Sequence, residues 1–223
     1  LRHLTIEETY ELSDAILKAD MDEIKKELGD VLLHIVFYSK IASETKTFDI
    51  SDVINQLCEK LIRRHPHIYG DVKVNDEKEV KQNWEQIKLA ESKGEKSLLS
   101  GVPVSMPSIV KAMRMQEKAA QVGFDWPNID QVWDKVEEEL GEFKNAQTIE
   151  ESESEFGDLF FALINYARFK GINPDDALEK TNKKFFNRFS YIEKKAKESG
   201  KHLNSLSLDE MDFWWNEYKK NES

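Results

Sequence analysis

The feature that most restricts what this chain can fold into is its internal repetition. "EETYEL" returns in the second half as "EEELGEF", and "KKELGDVLLHIVFY" returns as "ESEFGDLFFALINY". "FDISDVINQLCEKLIRRH" is matched by "INPDDALEKTNKKFFNRF", and "NWEQIK" by "WWNEYK", in the same order. Within each copy, apolar residues recur at helical spacing, and no strand-like alternation runs long enough to compete. The expected fold class is therefore all-α, a tandem duplication in which each unit is a small four-helix bundle. The first unit is expected over 1–95, a linker over 96–105 and the second unit over 106–223.

Local signals mark the helix ends. Asp20 with Glu23 opens a helix running to about Ser43, whose "VLLHIVFY" is apolar on most sides and so reads as buried. Asp49 or Ser51 opens the next, which Pro66 stops. A polar helix surrounds "EVKQNWEQIKLAES", and "SKGEKSLLSGVPVSMPS" reads as a linker broken by Gly94, Gly101, Pro103 and Pro107. Pro107 suits the first turn of a helix ending at Gly123. Asn128 caps the helix of "VWDKVEEELGEF"; Thr148 and Glu151 make a capping box for the following one, closed by Gly171. Asn173-Pro174 and Ser207 with Glu210 begin the last two.

Composition narrows the function. The 223 residues contain nine Gly, five Pro and a single cysteine, Cys58, which rules out an intrachain disulfide framework and suits a reducing cytosol. No apolar run approaches the roughly 20 residues needed to cross a bilayer. A net charge of −11 makes direct nucleic-acid binding unexpected, but it does not exclude a phosphate-bearing small ligand if cations mediate the contact.

Each half places Glu-x-x-Glu on one helix and Glu-x-x-Asp at the start of the next: Glu8, Glu11, Glu27 and Asp30, then Glu139, Glu142, Glu155 and Asp158. A spacing of three puts each pair on one helix face. A short turn between antiparallel helices would gather four carboxylates, tenable only with protonation or cations. Oxygen donors without His or Cys point to Mg²⁺, with Mn²⁺ as a substitute. A solvated acidic face is the competing reading. Dipole stabilisation partly accounts for Glu155 and Asp158, and back-bonding to a Thr5 cap would account for Glu8. Lys184 and Arg188, one helical turn apart like Lys60 and Arg64, suit either a polyphosphate or a salt-bridge ladder. Trp215 and Trp84 suit base stacking or a core. No zinc pattern, phosphate-cradling Gly-rich loop or nucleophile elbow accompanies them.

Taken together, "EETYEL", "ELGDVLLHIVFY", "RRHPHIYGD", "WEQIK", "VGFDW", "VEEELGEF", "EFGDLFFALIN" and "NKKFFNRF" resemble the MazG family of all-α nucleoside triphosphate pyrophosphohydrolases over essentially the whole chain. The resemblance implies Mg²⁺-dependent hydrolysis of (deoxy)nucleoside triphosphates to monophosphate and pyrophosphate, as nucleotide-pool house-cleaning. It also implies a cytoplasmic protein that assembles as a homodimer or higher. Glu139, Glu142, Glu155 and Asp158 would then be the catalytic metal ligands, and Lys184 and Arg188 would bind phosphate, with Trp215 and Trp126 near the substrate. Family members usually carry Cys-Pro-Trp-Asp and Gln-Thr-His upstream of "EETYEL", so the first unit is expected to lack that segment. Its Glu8, Glu11, Glu27 and Asp30 would hold metal without an expectation of catalysis. The alternative reading is a non-catalytic nucleotide- or metal-binding regulatory bundle.

Overall fold

The computed structural model describes residues 1–74, 76–91 and 97–221. Among these the chain is all-α, with ten α-helices and no strand. It divides into two compact units, Leu1–Gly101 and Val102–Ser223. Gly94 and Lys96 of the expected linker lie outside the described residues, as do residues 92–95 and 222–223 near the expected unit ends. Leu98–Gly101 forms one 3₁₀ turn.

In the first unit, α1 (Arg2–Lys18) and α2 (Met21–Glu44) form a hairpin. Ala19 turns the chain in the left-handed region (φ 54°), and Asp20 caps α2 by accepting from the backbone N–H groups of Asp22 and Glu23. So short a connection forces the two helices antiparallel. Asp49 and Asp52 make a capping box for α3 (Ile50–Arg64). Pro66, which has no N–H to continue that helix, opens the short α4 (Pro66–Tyr69). The next helix, α5 (Glu77–Glu91), is tied back to α3 through Glu91, which accepts from Arg63 Nε at 2.6 Å and Arg64 Nη2 at 2.5 Å.

The second unit repeats this order as α7 (Ile129–Asn145), α8 (Ile149–Phe169), α9 (Pro174–Glu198) and α10 (Leu208–Asn221), preceded by α6 (Ser108–Gln121). Asn128, Thr148 with Glu151, and Asn173 cap α7, α8 and α9 as their sequence positions predict. Pro107 stands one residue before α6 rather than in its first turn. Val136, Leu159 and Ala162 form the α7–α8 seam, flanked by Phe143 and Tyr166. Ile192, Ala196 and Leu206 form a second cluster, against which Leu203, Met211, Trp214 and Trp215 pack.

The expectation that α2 is buried is not met within the single chain. Leu28, Leu32, Leu33, Ile35, Val36, Phe37 and Ile41 remain between 41% and 57% exposed. Their positions run around most of the helix, and α1 covers only one side of it. On α8, Phe156, Phe160, Phe161 and Leu163 are exposed in the same way.

Two outcomes follow from this packing. Ile192→Ala, at a site 3% exposed, should cost about 2–5 kcal/mol in urea unfolding at unchanged m-value. Hydrogen bonds from Arg64 and then Arg63 hold the Glu91 carboxyl down to about 2, below its ordinary 4.5. A carboxyl depressed in the folded state contributes stability that is fully present above its unfolded value and is lost as pH falls through the folded value. The stability difference between the parent and Glu91→Gln should therefore be largest above pH 4.5 and shrink toward pH 2.

Candidate metal centre

The α7–α8 hairpin sets the geometry of the second unit's centre. Only Ala146, Gln147 and Thr148 separate the two helices, and Glu151 accepts from the backbone N–H of Gln147 at 2.8 Å and of Thr148 at 3.3 Å. The register this imposes is visible in Phe143 against Phe156 (ring centroids 5.5 Å apart) and Trp133 against Tyr166 (4.9 Å). Glu139 and Glu142 on α7 consequently meet Glu155 on α8, and the three offer carboxylate oxygens that all lie within 4.8 Å of one another. Glu139 is buried, Glu155 half-buried and Glu142 exposed.

This juxtaposition acts on the acids themselves. Burial, followed by the charges of Glu142, Asp158 and Glu139, pushes the Glu155 carboxyl above its ordinary range. Asp158 is not one of the three converging groups; it stands one helical turn further along α8 and contributes through its charge. Lys135, which the sequence reading did not single out, is the local counter-cation. Its Nζ lies 2.6 Å from Glu139 Oε1 and 2.9 Å from Glu138 Oε1, and the hydrogen bond to Glu139 first, then Glu138, raises its pKa. The sequence signal was the i,i+4 spacing of Lys135 and Glu139, identical to that of an ordinary surface pair.

The first unit gathers the corresponding acids. Glu8, Glu11 and Glu27 also offer oxygens within 4.8 Å of one another, while Asp30 lies outside that set and acts on Glu27 by charge. Lys26 Nζ bonds Glu27 Oε1 at 2.8 Å and Glu23 Oε1 at 2.9 Å. The negative charge of Glu27, then burial, raises the Glu11 carboxyl. Thr5 is not a cap: it sits inside α1, with its hydroxyl on the Leu1 carbonyl.

The remaining candidates are placed as follows. Lys184 and Arg188 lie one turn apart on α9, with the Arg188 guanidinium 5.3 Å from the Trp215 ring centroid. Trp215 packs on the Ile192 cluster and meets Phe185 edge-on, which gives it a core role alongside any contact with a ligand. Trp126 lies in the loop before α7 and is exposed. Its loop is pinned by Asp125, which accepts from Arg168 Nη1 at 3.0 Å and Nη2 at 2.5 Å. Arg168 stands near the far end of α8, about 20 Å along the helix axis from Glu155. In the first unit, Arg64 is engaged by Glu91, and Trp84 packs against His65.

Three mutually repelling carboxylates with oxygen donors only fit a hard divalent cation such as Mg²⁺ or Mn²⁺, with water completing its shell. Glu142→Gln separates repulsion from ligation. In the absence of divalent ions it should leave thermal stability equal to or above that of the parent, because one repelling charge is gone. It should also remove the second unit's share of the Mg²⁺-induced stabilisation, about 2.7 kcal/mol per site at a hundredfold excess over Kd. Calorimetric scans with and without Mg²⁺ read both effects.

The chain's sequence relationships agree with this architecture. The profile of the MazG nucleotide pyrophosphohydrolase domain matches residues 1–69. A Thermotoga maritima protein named nucleoside triphosphate pyrophosphohydrolase/pyrophosphatase MazG is 44% identical over 98% of this chain and 85% of its own length. The nucleoside triphosphate pyrophosphohydrolase of Escherichia coli K12 is 39% identical over 98% of this chain and 86% of its own length. The uncharacterised protein YabN of Bacillus subtilis is 48% identical over all of this chain and 46% of its own length. With two relatives this similar along nearly its whole length, and with the paired acidic hairpins in place, the chain belongs to the MazG family.

Proposed function

We propose that the chain is a metal-dependent nucleoside triphosphate pyrophosphohydrolase whose reaction runs in the second unit. The convergence of Glu139, Glu142 and Glu155 at the end of the α7–α8 hairpin carries this reading, and the names of the Thermotoga and Escherichia relatives support it. Glu139, Glu142 and Glu155 would hold Mg²⁺, or Mn²⁺ in its place, with Asp158 adding negative charge one turn away. When bound, such an ion polarises phosphate oxygens and offsets the charge developing on the leaving pyrophosphate.

The chain's own groups supply the rest. Lys184 and Arg188 on α9 bind the phosphates, Lys as a point charge and Arg by paired N–H donors. A water attacks the α-phosphorus while the bond from that phosphorus to the α–β bridging oxygen breaks, so that pyrophosphate leaves with the electron pair. A cluster carboxylate takes the proton the water gives up. Lys135 occupies the cluster by its bond to Glu139 and is released toward Glu138 as the cation enters.

The first unit has a different balance. Arg63 and Arg64 are both turned onto Glu91, which favours a metal-binding but non-hydrolysing role for Glu8, Glu11, Glu27 and Asp30. The regulatory reading of the fold therefore applies to this unit. The exposed apolar residues of α2 and α8 support assembly as a homodimer or higher oligomer, since contiguous apolar faces of this extent mark association surfaces. A cytoplasmic location completes the proposal: lone Cys58 suits a reducing compartment, and no helix among the described residues is long and apolar enough to cross a membrane.

The deciding assay gives the purified chain Mg²⁺ and a panel of NTPs and dNTPs, and separates pyrophosphate from orthophosphate. Monophosphate and pyrophosphate should appear, with Glu139→Gln lowering turnover at least 100-fold and Glu11→Gln within a few-fold of the parent. Loss in Glu11→Gln alone would move the reaction to the first unit. Orthophosphate as the product would reject attack at the α-phosphorus.

A further inference from the structure

Helix α8 carries a second seam, distinct from the side that packs on α7. Glu153, Phe156, Phe160, Leu163, Ala167 and Lys170 follow one another at alternating steps of three and four residues. That alternation is the heptad spacing, which keeps one stripe of a helix facing one partner helix along its length. Phe156 is 54% exposed, Phe160 and Leu163 are each 40% exposed, and Glu153 and Lys170 at the two ends lie in solvent. Leu159 and Ala162, which close the hairpin against α7, belong to a different side and are buried. Lys170 holds helical dihedrals as the C-cap of α8, so it stays in line with the stripe.

The charges on α8 are sorted along its length. Glu150, Glu151, Glu153, Glu155 and Asp158 occupy its first half, and Arg168 and Lys170 its end. Such a helix is complementary to a copy of itself running the other way. With a two-fold axis midway between Phe160 and Leu163, Phe160 meets the second copy's Leu163, Phe156 meets its Ala167, and Glu153 meets its Lys170. A large ring then stands opposite a small methyl, and both ends of the seam close on opposite charges. Sliding one helix by a heptad in either direction sets Glu153 against Leu163 or Lys170 against Phe160, burying an unpaired charge.

The first unit supplies the comparison. The repeat aligns this stripe with Lys25, Leu28, Leu32, Ile35, Ser39 and Ala42 on α2. An α2–α8 pair in the same register would set Lys25 against Lys170, and an α2–α2 pair would join no opposite charges. Attraction in one pairing and repulsion in the other select α8 for α8.

We propose that α8 is a symmetric antiparallel docking surface for the α8 of a second copy of this chain, in the register that joins Glu153 of each copy to Lys170 of the other. This rests on the reading of the chain as a homo-oligomer and specifies its face, its partner element and its register. Glu153 stands two residues before Glu155, so each acidic end receives a cation from the other copy.

The full chain carrying Cys58→Ser, which removes its single thiol, tests the register by disulfide trapping. Glu153→Cys and Lys170→Cys chains, mixed under reducing conditions and then oxidised, should form a covalent dimer, because opposed Cα atoms fall near the roughly 4.4–6.8 Å that a disulfide spans. Either variant alone should cross-link at least about tenfold less. In the parent, Glu153→Lys and Lys170→Glu should each raise the dimer dissociation constant about tenfold in sedimentation, and the two combined should restore it. A dimer in sedimentation without the mixed cross-link would overturn the register while leaving the homo-oligomer reading in place. A monomer at every concentration would overturn both. Failure of the double reversal to restore association would overturn the pairing of Glu153 with Lys170.

Discussion

Each hairpin packs carboxylates against one another, and in the second unit an apolar seam holds the two helices together. Carboxylates held this close repel, and together with burial this raises the Glu155 and Glu11 carboxyls above their ordinary range. The seam of Val136, Leu159 and Ala162 fixes the approach of α7 and α8, so the strain cannot relax by separation of the helices. It must be met locally. The fold answers in part with Lys135 on Glu139 and with Lys26 on Glu27, one lysine per unit. A divalent ion would add two positive charges among these oxygens, so the packing itself favours the metal binding proposed for them.

Much of this was legible in the residues because the information is local. Asp20, Asp49, Asn128, Thr148 and Asn173 accept from the backbone N–H groups their positions predict, and Ser207 and Glu210 exchange hydrogen bonds as their spacing requires. The three-residue spacing of Glu139 and Glu142, and of Glu8 and Glu11, correctly put each pair on one face. What could not be read was register across a hairpin. Helical period says which residues share a face, not which turn of the facing helix they meet. So Glu155 converges on Glu139 and Glu142 while Asp158, one turn on, does not. Trp126 lies within a few residues of α7 in sequence yet sits at the end of the hairpin where Arg168 holds Asp125. The engagement of Arg64 by Glu91 joins residues from α3 and α5 and leaves no mark on either helix alone.

Duplication makes the two units natural controls for each other. Both retain the hairpin, the three acids and a lysine beside one of them. They part at the cationic helix: Arg64 spends its guanidinium on Glu91, whereas Arg188 lies over Trp215. They part again behind the first carboxylate, where Val136 and Ala162 in one unit stand for Thr5 and His34 in the other. Apolar packing at those positions stiffens the second unit's seam without placing any demand on protonation. The polar set costs desolvation unless its donors and acceptors are used, and Thr5 Oγ1 meets the Leu1 carbonyl, His34 Nδ1 and the Tyr38 hydroxyl.

Assembly and chemistry then share a helix. On α8, Glu155 and Asp158 are followed by Phe160, Phe161 and Leu163, all still exposed in the single chain, and α2 repeats the arrangement from Glu27 through Leu32, Leu33 and Val36. At about 25 cal/mol per Å², leaving such faces in water forfeits much of the stabilisation their burial would give. In the proposed homodimer a second copy covers them and also removes water from the flank of the acidic end. Lower local dielectric would strengthen every charge term there: repulsion among the acids, attraction to a bound cation, and the grip on phosphate proposed for α9. The metal-free assembly would thus be penalised most and the loaded one favoured most, so that closure of the apolar face and occupation of the acidic hairpin reinforce one another.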